Sequence, residues 1–227
     1  MDWKALVSGL VFGAAVILGS SHGRIGPQEV IASGPEGSVS SPSAAVERLQ
    51  ISATGLVAPL ESVPKYPFTE EESIRSGRWR KNSQDYPYFG APRNRNTRFH
   101  AGVDIYPQGG AGSAVRALAD GTVIKIAAFY TRANGEVTYG VLVDHGAFVA
   151  NYAELMKPDM EVAARIRQGQ VLGRIGGTKQ LHLELYAKGT KDWSRWRGKR
   201  PENLLDPTDI LLTLFDRQAV QHRGPAQ

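Results

Sequence analysis

Between Val103 and Tyr186 the chain repeats one texture, a short run of β-branched and apolar residues followed by a glycine turn. Val103-Asp104-Ile105-Tyr106 alternates, residues 114–118 follow, and Asp120-Gly121 turns the chain into residues 122–126. Residues 139–144 and 148–155 flank His145-Gly146-Ala147, a tight hairpin by its spacing and its glycine. Residues 171–175 and 181–186 complete the series. Short strands about ten residues apart, punctuated by Gly, predict a mainly β, compact antiparallel domain. Asp206-Pro207-Thr208 then starts a short C-terminal helix through Ile210, Leu211 and Leu214, whose apolar face closes one end of the sheet.

The 227 residues include no cysteine. A disulfide framework, a Cys-ligated zinc finger and thiol catalysis are therefore excluded, and any metal must be held by His, Asp or Glu. A net charge of +5 favours an anionic partner, and nucleic acid, acidic lipid or a cell-wall polymer would each suit it.

Met1-Asp2-Trp3-Lys4 precedes an apolar run over 5–19, interrupted by Ser8 and three glycines. It is long for a signal-peptide core and short for a membrane span, which needs roughly 20 apolar residues. Residues 1–21 are accordingly expected to be a signal peptide or membrane anchor, and the absence of cysteine excludes a lipoprotein anchor. Residues 22–60, rich in Ser, Gly and Pro, read as a flexible linker. Residues 61–85 form the N-terminal edge of the folded region, 86–190 its body, and 191–227 a basic loop, the C-terminal helix and a tail.

The five histidines can be weighed singly. His22 and His222 fall in terminal segments, and His145 sits in a hairpin turn where it can bond locally. In Gln180-Leu181-His182-Leu183-Glu184-Leu185 the leucines share one strand face, which puts Gln180, His182 and Glu184 on the other. His100 precedes Asp104 by four positions, about 13 Å in a straight strand and too far to share an ion. A bend at Ala101-Gly102 would bring imidazole and carboxylate together.

His100-Ala101-Gly102-Val103-Asp104 is followed in order by Ala119-Asp120-Gly121-Thr122-Val123, Val143-Asp144-His145-Gly146, Tyr152-Ala153-Glu154-Leu155, Gly169-Gln170-Val171-Leu172-Gly173 and Leu181-His182-Leu183-Glu184. This run, over 86–190, resembles the lysostaphin-type, LytM-like zinc endopeptidases that cut peptidoglycan cross-bridges and stem peptides. The resemblance implies a compact antiparallel β domain with a metal groove over one sheet. It also implies one zinc ion, Zn2+, held by His100, Asp104 and His182. Two His and one carboxylate would leave an open position for water, as a catalytic site requires.

The family's two remaining site histidines, which steer water and stabilise the oxyanion, are replaced by Glu154 and Gln180. Three readings follow. Glu154 serves as general base with Gln180 donating to the oxyanion; Glu154 is a fourth ligand and the zinc is structural; or the domain is a lapsed enzyme that binds cell-wall polymer or a partner. Arg93, Arg95 and Arg98 precede the proposed site, and Lys188, Lys191, Arg195, Arg197, Lys199 and Arg200 follow it, interleaved with Trp193 and Trp196. Arg with Trp suits sugars bearing anionic groups, while the plainer alternative is a solvated loop whose tryptophans pack on the core. No nucleic-acid fold motif accompanies the basic cluster, so nucleic acid is not expected as a partner. The expected partner is peptidoglycan, with envelope or virion proteins as further candidates and the membrane through the N-terminal segment. The expected setting is the bacterial cell envelope (periplasm), or a virion if the enzyme is phage-borne.

Overall fold

A computed structural model describes residues 51–79 and 85–223. The expected signal or anchor segment, His22 and most of the expected linker lie outside the described residues. Among those residues no helix is long and apolar enough to cross a membrane.

In chain order the elements are α1 (Glu70–Ser76), β1 (Pro92–Arg93), β2 (Arg98–Phe99), β3 (Val103–Ile105), β4 (Ala114–Arg116), β5 (Gly121–Thr131), β6 (Val137–Asp144), β7 (Phe148–Leu155), β8 (Arg165–Ile166), β9 (Val171–Arg174), β10 (Leu181–Ala187), β11 (Leu204–Leu205) and α2 (Thr208–Arg223). The main sheet is antiparallel, in the order β11-β10-β7-β6-β5-β8. β3 pairs with the first half of β10 and β11 with its second half. β1–β2 and β4–β9 form two small sheets beside it. The mainly β, antiparallel class and the late helix agree with the sequence pattern. The β6–β7 hairpin closes at Gly146, whose φ of +80° is readily adopted only by glycine.

A two-residue period divides the sheet into two faces. Leu181, Leu183 and Leu185 of β10, Val141 and Val143 of β6, and Ala150 and Tyr152 of β7 enter the main core. Ile210, Leu211, Leu214 and Phe215 of α2 join them, and the Asp206 carboxylate accepts the Thr208 amide at the start of that helix. The opposite face carries Leu142, Val149 and Tyr186, covered in part by Trp193 and Trp196. That face also carries His182.

Three sequence expectations need correction. The linker expected over 22–60 ends earlier, because from Ile51 the chain packs on the β domain. Leu60 is buried, Leu56 and Ala58 pack on the same cluster, and the Val57 amide donates to the Leu118 carbonyl. The His145 side chain does not hydrogen-bond within its own turn. Its Nδ1 donates to the Asp120 carbonyl at 2.9 Å, and its Nε2 takes the Tyr152 hydroxyl at 3.0 Å, while that hydroxyl accepts from the Leu118 amide. These bonds tie the hairpin end to Asp120, 25 residues earlier, and to Tyr152 on the next strand. His222 lies exposed in the last turns of α2 rather than in an unstructured tail.

If residues 51–60 belong to the fold, Leu60→Ala should lower unfolding free energy by about 2–5 kcal/mol, the usual cost of truncating a buried leucine. Urea denaturation of the purified chain measures this. An unchanged midpoint would return the segment to linker status.

Candidate metal centre and groove

The site is assembled around β10. Register pairs His182 with Asp104 of β3 on one side and Ala153 of β7 on the other, so these residues form one row across three strands. His100 arrives from the turn between β2 and β3, anchored by backbone bonds to Gly90 and Ala91. The bend at Ala101-Gly102 is present, and Gly102 is needed there. A Cβ at that position would sit 2.4 Å from the Leu183 carbonyl oxygen, closer than non-bonded atoms approach.

Three lone-pair atoms converge. His100 Nε2 lies 3.1 Å from Asp104 Oδ1 and 3.0 Å from His182 Nδ1, and His182 Nδ1 lies 2.9 Å from Asp104 Oδ1. All three residues are buried. Among the described residues this is the group of side chains close enough to share a metal ion, and Glu154 is not part of it.

The far nitrogen of each ring is already engaged. His100 Nδ1 donates to the Tyr88 carbonyl at 2.9 Å, and His182 Nε2 donates to Glu184 Oε1 at 3.0 Å. These bonds fix the tautomers that leave His100 Nε2 and His182 Nδ1 with free lone pairs, the arrangement that orients histidine toward a metal. Glu184 is held in turn by Asn151 Nδ2 at 2.7 Å and the Tyr186 hydroxyl at 2.9 Å. The donor set, two imidazole nitrogens and a carboxylate oxygen within 4.8 Å of one another, fits a divalent cation.

Charge in the cluster follows from burial and mutual contact. Burial opposes a charge on Asp104, but His100 and His182 outweigh it and hold the carboxyl well below the usual carboxylate range. Burial also keeps His100 below its ordinary value. At His182 burial acts in the same direction, yet Asp104 and Glu184 overcome it and push the imidazole up to about 10.

Glu154 reaches this face through a bulge. The β6–β7 register slips so that Ala153 and Glu154 together oppose Gly140, and Glu154 takes a φ of +66°. Simple alternation would have sent Glu154 into the core beside Tyr152. The bulge reverses the parity, so Leu155 enters the core and Glu154 faces the groove. Its Oε2 is shielded from solvent and has no hydrogen-bond partner, and the same holds for Thr178 Oγ1 nearby. Burial first, then the Asp104 charge, push the Glu154 carboxyl up to about 7, with His182, Thr178 and Gln180 acting in the opposite sense.

The triad, Glu154 and Gln180 all line one groove of about 1120 Å³. Of the basic residues singled out in the sequence, Arg93, Arg98, Arg195 and Arg197 also line it, with Trp193 and Trp196. The tryptophans are partly committed to packing: Trp196 stacks near Phe89 and Phe99, and Trp193 lies against Phe129 and under Lys125. The sequence marks Arg93 only as part of a basic patch. It is buried, with Nη2 donating to the Tyr86 carbonyl and lying 3.7 Å from Asp104 Oδ2. Glu184 was legible as a residue sharing the face of His182, but its orienting bond was not.

Residues 98–192 match peptidase family M23. The glycyl-glycine endopeptidase ALE-1 of Staphylococcus capitis is 31% identical over 108 residues, which are 47% of this chain and 29% of that protein. The chain thus spans less than a third of that relative's length. The catalytic domain of lysostaphin from Staphylococcus simulans is 22% identical, over 55% of this chain and 88% of that one, with a TM-score of 0.39. Helicobacter pylori Csd3 is 17% identical over 74% and 41% of the two chains, also with a TM-score of 0.39. The segment that matches the family runs from β2 through β10 and contains His100, Asp104 and His182, so in this part the chain is similar to the M23 peptidases.

Proposed function

We propose that this chain is a zinc-dependent endopeptidase that hydrolyses amide bonds in peptidoglycan peptides, at the bacterial envelope or as a phage-borne enzyme. The observation that carries this reading is the convergence of His100 Nε2, His182 Nδ1 and Asp104 Oδ1, with both far nitrogens tied off. The family match over 98–192 and a relative named as a glycyl-glycine endopeptidase support it.

His100, Asp104 and His182 are the residues that would hold the ion. Bound there, zinc would supply Lewis acidity and make a water more acidic. Glu154, outside the ligand group but in the same groove, accepts the proton of the attacking water at its unpartnered Oε2. It then returns that proton to the leaving amine, the ordinary double duty of a general base. Its raised proton affinity suits both halves of the cycle. Gln180 directs its amide hydrogens at the oxygen that gains charge in the tetrahedral intermediate. That neutral donor replaces the family's imidazole, so oxyanion stabilisation is weaker and more of the work falls on the acid–base step. Exclusion of Glu154 from the ligand group favours this role over that of a fourth ligand.

Zinc content tests the ligand set. The purified wild-type chain, supplied with zinc and dialysed, should retain one ion per chain, and His182→Ala should retain none. Wild type without stoichiometric metal would refute the assignment.

Turnover tests the base. Glu154→Gln should keep its zinc and lower the rate of muropeptide release by about 10²- to 10⁴-fold. A base works only when deprotonated, so wild-type activity should fall as pH drops through the Glu154 pKa. The acid limb should lie above the ordinary carboxylate value of 4.5 and no higher than about 7, because a bound cation pulls the pKa back down. Loss of zinc from Glu154→Gln would mark it as a ligand instead. Failure of zinc-loaded wild type to cleave any peptidoglycan type would overturn the enzymatic reading.

A further inference from the structure

The β1–β2 ribbon contains an unfavourable pairing. Arg93 and Arg98 are direct cross-strand partners, so both side chains leave the same face of a two-stranded ribbon. Like charges directly opposite one another destabilise a strand pair. Both line the groove that holds the triad, and Arg195 and Arg197 line its neighbouring wall. That wall is fastened to β2 by the Phe99 amide donating to the Trp196 carbonyl at 2.9 Å and by the Phe99–Trp196 ring contact at 5.2 Å. Among the described residues, no carboxylate forms an ion pair with Arg98, Arg195 or Arg197.

Arg93 supplies an independent observation. It is 7% exposed, its Nη2 is used by the Tyr86 carbonyl and Asp104, and its Nη1 is buried with no hydrogen-bond partner. A buried guanidinium donor without a partner is costly unless a ligand satisfies it.

We propose that Arg93 and Arg98, with Arg195 and Arg197 at the rim, form a carboxylate-binding subsite beside the triad. The substrate class is therefore a peptide carrying a free carboxylate near the scissile bond, not an uncharged oligoglycine bridge. This rests on the endopeptidase reading for its place in catalysis, but its binding chemistry stands apart from hydrolysis. Guanidinium groups bind carboxylates through parallel N–H···O bonds and are the side chains best suited to that role.

The test uses the full chain, zinc-free and zinc-loaded, and two synthetic stem tetrapeptides, one with free side carboxylates and one with them amidated. Titration calorimetry at low salt should show the free-carboxylate peptide binding about tenfold tighter or more, with the preference shrinking as salt rises. Arg98→Gln, with melting temperature and zinc content checked, should bring the two affinities within about threefold, and Arg98→Lys should keep part of the preference. Equal binding of the two peptides to wild type would overturn the subsite, and so would a full preference retained in Arg98→Gln. Hydrolysis is followed in parallel. No cleavage of these peptides or of any peptidoglycan type by the zinc-loaded chain, with the binding preference intact, would refute the endopeptidase reading while supporting the subsite. Cleavage of both peptides with equal binding would refute the subsite alone.

Discussion

Strand β10 is hydrogen-bonded along both edges, to β7 on one side and to β3 and then β11 on the other. A strand fixed on both edges cannot slip, because a shift of one residue would exchange its two faces. In β10 that exchange would put His182 and Glu184 into the core and Leu181, Leu183 and Leu185 into the groove. Burial of the three leucines, each worth about 1.5–3 kcal/mol relative to exposure, therefore also fixes the imidazole in place. The same register holds Asp104 opposite His182. Core packing and site geometry are two results of one alternation.

The site's electrostatics depend on how completely its polar atoms are engaged. Tyr88 and Glu184 occupy the outer nitrogens of the two imidazoles, while Asn151 and Tyr186 occupy the far oxygen of Glu184. The Tyr186 hydroxyl also accepts from the Ser194 amide, which ties the loop after β10 to the same network. Asn151 Oδ1 lacks a partner within that network, and three further unpartnered atoms belong to other side chains: Arg93 Nη1, Glu154 Oε2 and Thr178 Oγ1. All three residues line the groove. Unsatisfied donors and acceptors at a groove wall are what a polar substrate backbone with charged side groups can complete.

The sequence made some of this legible and concealed the rest for identifiable reasons. Strict alternation in 181–186 separated the leucines from His182 and Glu184, because a strand buried on one side writes its faces into the chain. The Ala101-Gly102 bend was legible because His100 and Asp104 could not otherwise meet. Glu154 defeats the same logic. Neither Ala153 nor Glu154 is the glycine that would announce a bulge, so alternation alone assigns Glu154 to the side of Tyr152. Only the resemblance of the ordered motifs placed it at the site. Residues 51–60 read as a tether from composition, since one buried leucine and a partly buried one carry no periodic signal. Helix α1 is marked only locally, by the capping-box pattern Thr69-x-x-Glu72 and by Gly77 as the left-handed C-cap. The partners of His145 are tertiary contacts that local reasoning cannot reach.

The contact between His100 and His182 joins positions 82 residues apart. In a chain without cysteine, a divalent cation held between them would act as a removable cross-link, closing a loop that includes most of the sheet. Such a link lowers the entropy of the unfolded chain much as a disulfide does, but it is reversible and depends on pH and free metal. The resistance of the domain to unfolding would then follow the metal supply of its surroundings. Removing such a cation would loosen the fold and empty the site together, and restoring it would recover both without new synthesis.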